Sequence, residues 1–295
     1  MTSPGLRWEV TAAPTAELGE RPVWEASSGR LIWVDINAGQ LHELDPDGSD
    51  RVIASAGVPV GAAAPRTAGG YVLAAADGFR LIGADGLAGP TVRPAGMPLN
   101  VRFNDGACDP AGRFWAGTVT HDLRLGAGAL YRLGPDGTIT TMLDGVTESN
   151  GIGWSTDGVT MYFVDSGEPE TRIRAFGFDV ASGDLGTCQD LVRFPASGAV
   201  PDGLVVDAEE CVWVAIWGGG EVRRYAPDGQ LLAVLPVPVS QPTCPAFGGP
   251  GLDELYLTSA WQGMTTGQRA AEPLAGHVLH TRPGARGYAA LAFSG

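Results

Sequence analysis

Basic residues are scarce in this sequence of 295 residues. Lysine and arginine together number 19, against 33 aspartates and glutamates, which gives a net charge of -14. Proteins that bind nucleic acid need clustered basic side chains for the phosphates, so this balance argues against nucleic acid as a partner. The acidic excess favours the binding of a cation, although a solvated acidic surface alone also explains it.

Long apolar runs and paired cysteines are also absent. No stretch of about 18 apolar residues occurs, so we expect no membrane span. The residues from Met1 to Trp8 contain neither the basic nor the apolar region of a signal peptide. The four cysteines, at positions 108, 188, 211 and 244, form no C-x-x-C pair, which argues against a zinc site or a redox motif. We therefore expect a cytoplasmic protein with reduced thiols.

Glycine and proline, by contrast, are abundant, with 44 and 22 residues. They show no strict period of three and no low-complexity run, so a collagen-like or a disordered chain does not fit. Many short strands joined by many turns fit better.

Six short apolar or aromatic segments recur along the chain, with anchors at positions 33, 73, 115, 163, 213 and 256. Most are followed by an alternating strand pattern and then by a turn such as Asp45-Pro46-Asp47-Gly48. About four strands in roughly 40 to 50 residues is the size of a propeller blade. We therefore predict an all-β fold, a single six-bladed β-propeller domain over residues 1–295. Trp8-Glu9-Val10 and Tyr288-Ala289-Ala290-Leu291 are both expected in the last blade, where they would close the ring.

Four polar residues hold one register in this repeat. Glu20, Asn104, Asn150 and Asp202 each stand 11 or 13 residues before an anchor aromatic. In a propeller this position falls on the strand that lines the central channel, so the four side chains should converge. The matching places in the second and sixth repeats are near Gly61-Ala62 and Thr243-Cys244, which are small or uncharged.

Two carboxylates and two amide oxygens are hard donors that suit calcium, magnesium or manganese. The ligand types do not indicate a zinc preference, although zinc also binds such oxygens. A metal with an open position lowers the pKa of a bound water, and a carboxylate beside that water would act as general base. Asn or Asp before Gly is also an ordinary turn pattern, so turn formation is the alternative for each residue.

Five segments together resemble the signatures of the regucalcin (senescence marker protein 30)/gluconolactonase family. They occur in the family's order over essentially the whole chain: Leu18-Gly19-Glu20-Arg21-Pro22-Val23-Trp24, Val101-Arg102-Phe103-Asn104-Asp105-Gly106, Ser149-Asn150-Gly151-Ile152, Pro201-Asp202-Gly203 and Phe247-Gly248-Gly249. The resemblance implies a six-bladed propeller, in agreement with the repeat count. It also implies the hydrolysis of sugar lactones, such as gluconolactone or xylonolactone, to aldonic acids.

The resemblance further implies a role for each site residue. Glu20, Asn150 and Asp202 would ligate one divalent metal, with Ca²⁺, Zn²⁺, Mn²⁺, Mg²⁺ and Fe²⁺ as candidates, and Asp202 would double as the base. Arg102 and Asn104 would bind the substrate. Asp122 falls where the family's substrate-contacting acid sits, although the segment around it departs from the usual pattern.

Other functions and roles stay open on the sequence alone. The same metal site would suit a promiscuous esterase or phosphotriesterase, and a non-enzymatic calcium-binding regulator is the alternative from another class. His121, Trp217 and Trp261 either line the pocket or are ordinary loop residues. We expect a monomer or a weak homodimer, with a small sugar lactone as the only partner.

Overall fold

The computed structural model describes residues 7–11, 14–167, 171–195 and 198–295. Residues 1–6 lie outside these ranges. They belong to the segment from Met1 to Trp8, for which the sequence predicts no signal peptide. No helix in the described ranges has the length and apolar character needed to cross a membrane.

Short strands dominate the part of the chain that is described. In chain order they are β1 (Glu9–Val10), β2 (Gly19–Glu25), β3 (Arg30–Asp35), β4 (Gln40–Leu44), β5 (Asp50–Ser55), β6 (Val60–Pro65), β7 (Tyr71–Ala75), β8 (Gly78–Ile82), β9 (Val101–Cys108), β10 (Phe114–Thr120), β11 (Gly128–Leu133), β12 (Ile139–Val146), β13 (Ser149–Trp154), β14 (Thr160–Asp165), β15 (Arg172–Phe178), β16 (Leu185–Arg193), β17 (Val200–Val206), β18 (Val212–Trp217), β19 (Glu221–Tyr225), β20 (Leu231–Pro236), β21 (Pro242–Gly248), β22 (Glu254–Ser259) and β23 (Leu279–Thr281). A helix, α1 (Thr266–Ala271), lies between β22 and β23.

The strands form six antiparallel sheets, five of four strands and one of three. Blades 1 to 6 begin with the inner strands β2, β6, β9, β13, β17 and β21. These inner strands contact one another in ring order, and β21 returns to β2. The closed ring confirms the predicted six-bladed β-propeller.

The six anchors of the sequence repeat all lie in the second strand of a blade, from β3 to β22. Trp33, Trp115, Phe163 and Trp213 are fully or almost fully buried there. They fill the space between blades: Trp115, for example, meets Trp154 of the next blade edge-on, with ring centroids 5.8 Å apart. The repeat period therefore reflects the packing of one blade against the next.

The two chain ends behave differently from each other. Glu9 and Val10 pair with His280 and Leu279, so the start of the chain supplies the outer strand of blade 6, as predicted. The prediction for residues 288–291 is wrong, because β1 already occupies that outer position and these residues form no strand of the sheet.

Residues 284–295, here called the tail, cross one end of the channel instead. Gly287 donates its backbone N–H to Leu252 of blade 6 at 2.8 Å, and the Tyr288 hydroxyl donates to the Trp154 carbonyl of blade 4 at 2.7 Å. The backbone N–H of Phe293 then reaches the Pro65 carbonyl of blade 2 at 2.8 Å. The tail thus ties three blades together and covers that end of the ring.

Candidate functional site

A cavity of about 590 Å³, here called the site cavity, opens at the end of the channel where the inner strands begin. Its wall contains the predicted residues Glu20, Arg102, Asn104, Asn150 and Asp202, from four different blades. The structure thus brings together side chains that are up to 182 positions apart in the sequence. It brings five of the six predicted site residues to one cavity.

Irregular strand pairing recurs at the level of these side chains. The paired positions jump across Asn104 in β9, across Asn150 in β13 and across Asp202 in β17, and in β2 the irregularity follows directly after Glu20. Such a bulge bends the strand and redirects a side chain. It explains why one register position in several blades aims at the axis.

Close approach of the inner strands explains the glycines that follow these residues. A Cβ added at Gly151 would lie 2.7 Å from the Asp202 backbone oxygen, and one at Gly203 would lie 2.4 Å from the Cys244 side chain. Asn150 and Asp202 themselves lie inside strands. The Asn-Gly and Asp-Gly pairs are therefore packing features of the channel, and the turn interpretation is wrong for both.

A chain of hydrogen bonds orients the amides. Arg102 Nη1 donates to Asn104 Oδ1 at 2.6 Å, and Asn104 Nδ2 donates to Asn150 Oδ1 at 2.7 Å. Asn150 Nδ2 donates to Ser166 Oγ at 2.8 Å, which fixes the amide oxygen of Asn150 on the Asn104 side. An amide oxygen has two lone pairs, so Asn150 Oδ1 keeps one for a further ligand.

Of the carboxylates that line the cavity, those of Glu20 and Asp202 are deeply buried, with 4% and 5% of the residues exposed. Burial, followed by the charge of Asp105, raises the pKa of Glu20 to about 8. Burial, followed by the charge of Glu20, raises the pKa of Asp202 well above its usual value. Two buried carboxylates that disfavour each other's ionisation need a proton or a cation nearby.

This donor set fits a divalent cation such as Ca²⁺ or Mg²⁺, which prefers carboxylate and amide oxygens. Glu20, Asp202 and the free lone pair of Asn150 would hold it, and its charge would relieve the repulsion between the carboxylates. No cluster of three or more His, Cys, Asp or Glu side chains that suits a metal exists in the described ranges. The proposed donor set combines two carboxylates with one amide, that of Asn150.

A buried ion pair lies beside the carboxylates. Arg21 Nη1 is 3.5 Å from Asp105 Oδ1, and the Arg21 backbone N–H donates to Glu20 Oε2 at 2.8 Å. Arg21 lines a second cavity of about 90 Å³ under the tail, at the opposite end of the inner strands. The pair therefore marks the level that separates the site cavity from the covered end of the channel.

The structure places the remaining sequence candidates as follows. Asp122 is exposed and is not among the residues that line the site cavity, and a hydrogen bond with Thr120 lowers its pKa. His121 and Trp217 do line the cavity, whereas Trp261 packs under the guanidinium of Arg269, 3.9 Å from its ring centroid. The role of Asp122 as a substrate contact stays a prediction.

Glu148 lines the site cavity and was missed in the sequence. Burial raises its pKa, while the positive charge of Arg102 acts in the opposite direction. A signal was present, because residues two apart in a strand face the same side and Glu148 precedes Asn150 by two positions. The repeat does not reveal it, because no aromatic anchor stands 11 or 13 residues after Glu148.

The chain is similar to known proteins over almost its whole length. Residues 18–261 match the family described as the SMP-30/gluconolactonase/LRE-like region. The chain is 34% identical to the regucalcin of Xenopus laevis over 98% of this chain and 99% of that protein. It is 38% identical to the 6-deoxy-6-sulfogluconolactonase of Pseudomonas putida, over 94% and 95% of the two chains.

A solved structure shares the complete fold. It is that of a calcium-binding protein, regucalcin, from Agrobacterium tumefaciens, with a TM-score of 0.91, 30% identity and coverage of 98% of this chain and 97% of the other. The residue signatures, the six blades and the matched range lead to one assignment. The chain belongs to the SMP-30/gluconolactonase/LRE-like family.

Proposed function

We propose that this protein is a hydrolase that opens sugar lactones to aldonic acids. The observation that carries the proposal is the convergence of Glu20, Asn150 and Asp202 with Arg102 and Asn104 in one cavity of about 590 Å³. A cavity of this size holds a monosaccharide and is lined by oxygen donors and one guanidinium. The naming of the Pseudomonas putida relative as a sugar lactonase supports the same chemistry.

The proposal includes one divalent cation, held by Glu20, Asn150 and Asp202. When bound, such a cation acts as a Lewis acid toward a carbonyl oxygen and lowers the pKa of a bound water. The calcium-binding description of the Agrobacterium tumefaciens structure supports a divalent metal, and calcium is one of the candidates together with Zn²⁺, Mn²⁺, Mg²⁺ and Fe²⁺.

The side chains of this protein divide the reaction between them. Arg102 donates to oxygens of the lactone. The remaining lone pair of Asn104 Oδ1 accepts from a lactone hydroxyl, since both Asn104 N–H groups already donate to Ser149 and Asn150. Together they hold the carbonyl carbon beside Asp202. The Asp202 carboxylate takes a proton from the water that adds to this carbon. The bond between the carbonyl carbon and the ring oxygen then breaks, and the proton passes to that oxygen as the hydroxyl of the aldonic acid.

A non-enzymatic calcium-binding role is the second candidate, because the solved relative is named for calcium binding. The two functions differ in one observable: a regulator would bind metal in the site cavity without turning over any lactone. The cytoplasmic location, the monomeric or weakly dimeric state and the absence of nucleic-acid and membrane partners remain predictions from the sequence.

Acid release from a panel of lactones tests the proposal directly. The panel contains gluconolactone, xylonolactone, galactonolactone and arabinonolactone, and metal-stripped protein receives each candidate metal singly. We expect hydrolysis above the spontaneous rate only when metal is restored. A flat response with every metal, from protein shown to be folded, would favour the regulator or an esterase.

A further inference from the structure

The backbone that carries Glu148 is held rigidly. The Glu148 N–H donates to Asp165 Oδ1 at 3.0 Å, and the Glu148 carbonyl accepts from the Ser166 N–H at 3.0 Å. The N–H groups of Thr147 and Gly167 also donate to the Asp165 carboxylate, at 3.2 and 3.4 Å. Asp165 thus fixes the backbone at the entry to β13, from which the Glu148 side chain reaches the site cavity.

The Glu148 carboxylate itself makes no hydrogen bond with any residue in the described ranges. It lies close enough to Arg102 for the two charges to affect each other, although the two groups form no direct ion pair. A carboxylate held in a cavity by a rigid backbone, with free lone pairs beside a guanidinium, is arranged to accept hydrogen bonds from a ligand.

The charges around the site cavity restrict which ligand that is. Its lining contains four acidic residues (Glu17, Glu20, Glu148 and Asp202), one guanidinium, that of Arg102, and one imidazole, that of His121. Arg102 already donates to Asn104 Oδ1. A ligand with hydroxyl groups finds acceptors here, whereas a ligand with its own negative charge meets repulsion from Glu148.

We infer that Glu148 is a substrate-recognition residue that accepts hydrogen bonds from lactone hydroxyls, and that it makes the cavity selective for neutral polyhydroxylated lactones over anionic ones. The inference rests on the proposed function. In this inference the carboxylate that recognises the substrate is that of Glu148, which lines the cavity, and not that of the exposed Asp122. It concerns binding and not the metal, since Glu148 is not one of the three proposed ligands.

Steady-state kinetics on two lactones test the inference. The neutral substrate is gluconolactone, and the anionic one is glucarolactone, which differs by a carboxylate. For the wild type we expect kcat/KM to be at least about tenfold higher on gluconolactone than on glucarolactone. A factor of this size corresponds to the loss of one hydrogen bond to the charged Glu148. Glu148→Gln should raise the KM for gluconolactone about tenfold, leave kcat within about threefold, and remove most of the preference.

Asp136→Asn, in an exposed hairpin turn outside the lining of the site cavity, is the control, and its KM should stay within about twofold of the wild type. An unchanged KM and preference in Glu148→Gln would overturn the inference while the proposed function stands. A fall in kcat at constant KM, or a loss of metal affinity measured by calorimetry, would also overturn it, because Glu148 would then act in catalysis or ligation.

The wild type alone gives a second test if Glu148→Gln does not fold. Equal kcat/KM on gluconolactone and glucarolactone would overturn the inference. Absence of turnover on both lactones, with every metal, would overturn the proposed function and this inference with it.

Discussion

Asn104 Nδ2 donates a hydrogen bond to Asn150 Oδ1 over 2.7 Å and thereby joins the inner strands of blades 3 and 4 inside the site cavity. Asn104 also accepts from Arg102 at 2.6 Å. The donors and acceptors therefore run in one direction, from the guanidinium through two amides. The orientation of a proposed metal ligand, Asn150, depends in this way on a proposed substrate-binding residue.

Asn104→Ala tests this dependence. The change removes one of two acceptors of Arg102, leaving the Phe103 carbonyl, and it removes the donor to Asn150. Substrate binding and the orientation of the proposed metal ligand should therefore both weaken. We expect kcat/KM on gluconolactone to fall between about 10-fold and 100-fold, in line with the loss of a hydrogen bond to a charged group. The control is Asn37→Ala, an exposed amide on the rim of the same cavity, bonded to Gln262. Equal losses in the two variants would contradict a specific role for Asn104.

Asp202→Ala should abolish turnover and leave the fold intact. The carboxylate is the proposed base and a proposed metal ligand, so we expect kcat to fall by at least about 10³-fold. Its removal also relieves the repulsion with Glu20, so the metal-free variant should melt no lower than the metal-free wild type. Activity assays and thermal melts by circular dichroism measure the two effects. Activity like that of the wild type would remove the proposed site.

Glu20→Gln should weaken the binding of the divalent metal. The substitution keeps the size of the side chain and an oxygen donor but removes one of two charges, so we expect the dissociation constant measured by calorimetry to rise at least about tenfold. Glu17→Gln is the matched control, because Glu17 lines the same cavity outside the inner strand β2. An unchanged affinity in Glu20→Gln would contradict its assignment as a ligand.

The sequence predicted the ring and most of the site because both follow from a repeat. The six anchors, which are aromatic in every blade except the second, fix the second strand of each blade. One register position before four of them fixes Glu20, Asn104, Asn150 and Asp202 on the inner strands. Arg102 was found through the family resemblance. Glu148 stands outside the repeat register, and its place in the cavity depends on the contact of its backbone with Asp165 in the next strand.

The path of the tail could not be predicted from the sequence, for a different reason. Apolar residues near the end of the chain fit an outer strand and a cover over the channel equally well. The choice depends on β1 already occupying the outer edge of blade 6. It also depends on hydrogen bonds to distant blades, such as that of the Tyr288 hydroxyl to the Trp154 carbonyl. Competition between two distant segments for the outer edge of one blade leaves no pattern in the local sequence.

The raised pKa of Glu20 predicts how pH acts on the metal-free protein. The folded state binds this proton more tightly than the unfolded chain, because the pKa rises from 4.5 to about 8 on folding. The melting temperature should therefore fall as the pH rises through this interval. Added Ca²⁺ competes with the proton, so the increase in melting temperature that it causes should be larger at about pH 8 than at about pH 5.

Differential scanning fluorimetry with chelator or with Ca²⁺ measures both trends. Glu20→Gln is the control, since it lacks this titration and should show a weaker pH dependence. An increase in melting temperature that is independent of pH, in the wild type, would contradict the buried and mutually repelling carboxylates as the metal site.

Asp207, unlike the residues of the site cavity, acts on stability alone. Its carboxylate is completely buried and accepts from Trp213 Nε1 at 2.8 Å and from Arg224 Nη2 at 2.7 Å. Asp109 and Trp115 repeat this arrangement at 2.8 Å in blade 3. In blade 4 the anchor is a Phe without an N–H, and within the described part of the chain the Asp157 carboxylate accepts only from Ser155 and Val159 of its own turn. Asp207 also accepts from the Glu209 N–H at 2.9 Å, so it joins the turn after β17 to the indole of the anchor.

Asp207→Asn should lower stability and leave catalysis unchanged. Breaking a buried ion pair costs about 3 kcal/mol or more, which corresponds to a fall in melting temperature of roughly 6 to 12 °C for a chain of this size. Because Asp207 lies outside the lining of the site cavity, kcat and KM should stay within about twofold of the wild type. Asp228→Asn is the control, in an exposed hairpin turn where the carboxylate accepts from the Gln230 N–H at 3.0 Å, and it should melt within about 1 °C of the wild type. An unchanged melting temperature in Asp207→Asn would mean that the pair with Arg224 contributes nothing to the stability of the blade. A raised KM would mean that strain at the base of blade 5 reaches Asp202 through β17.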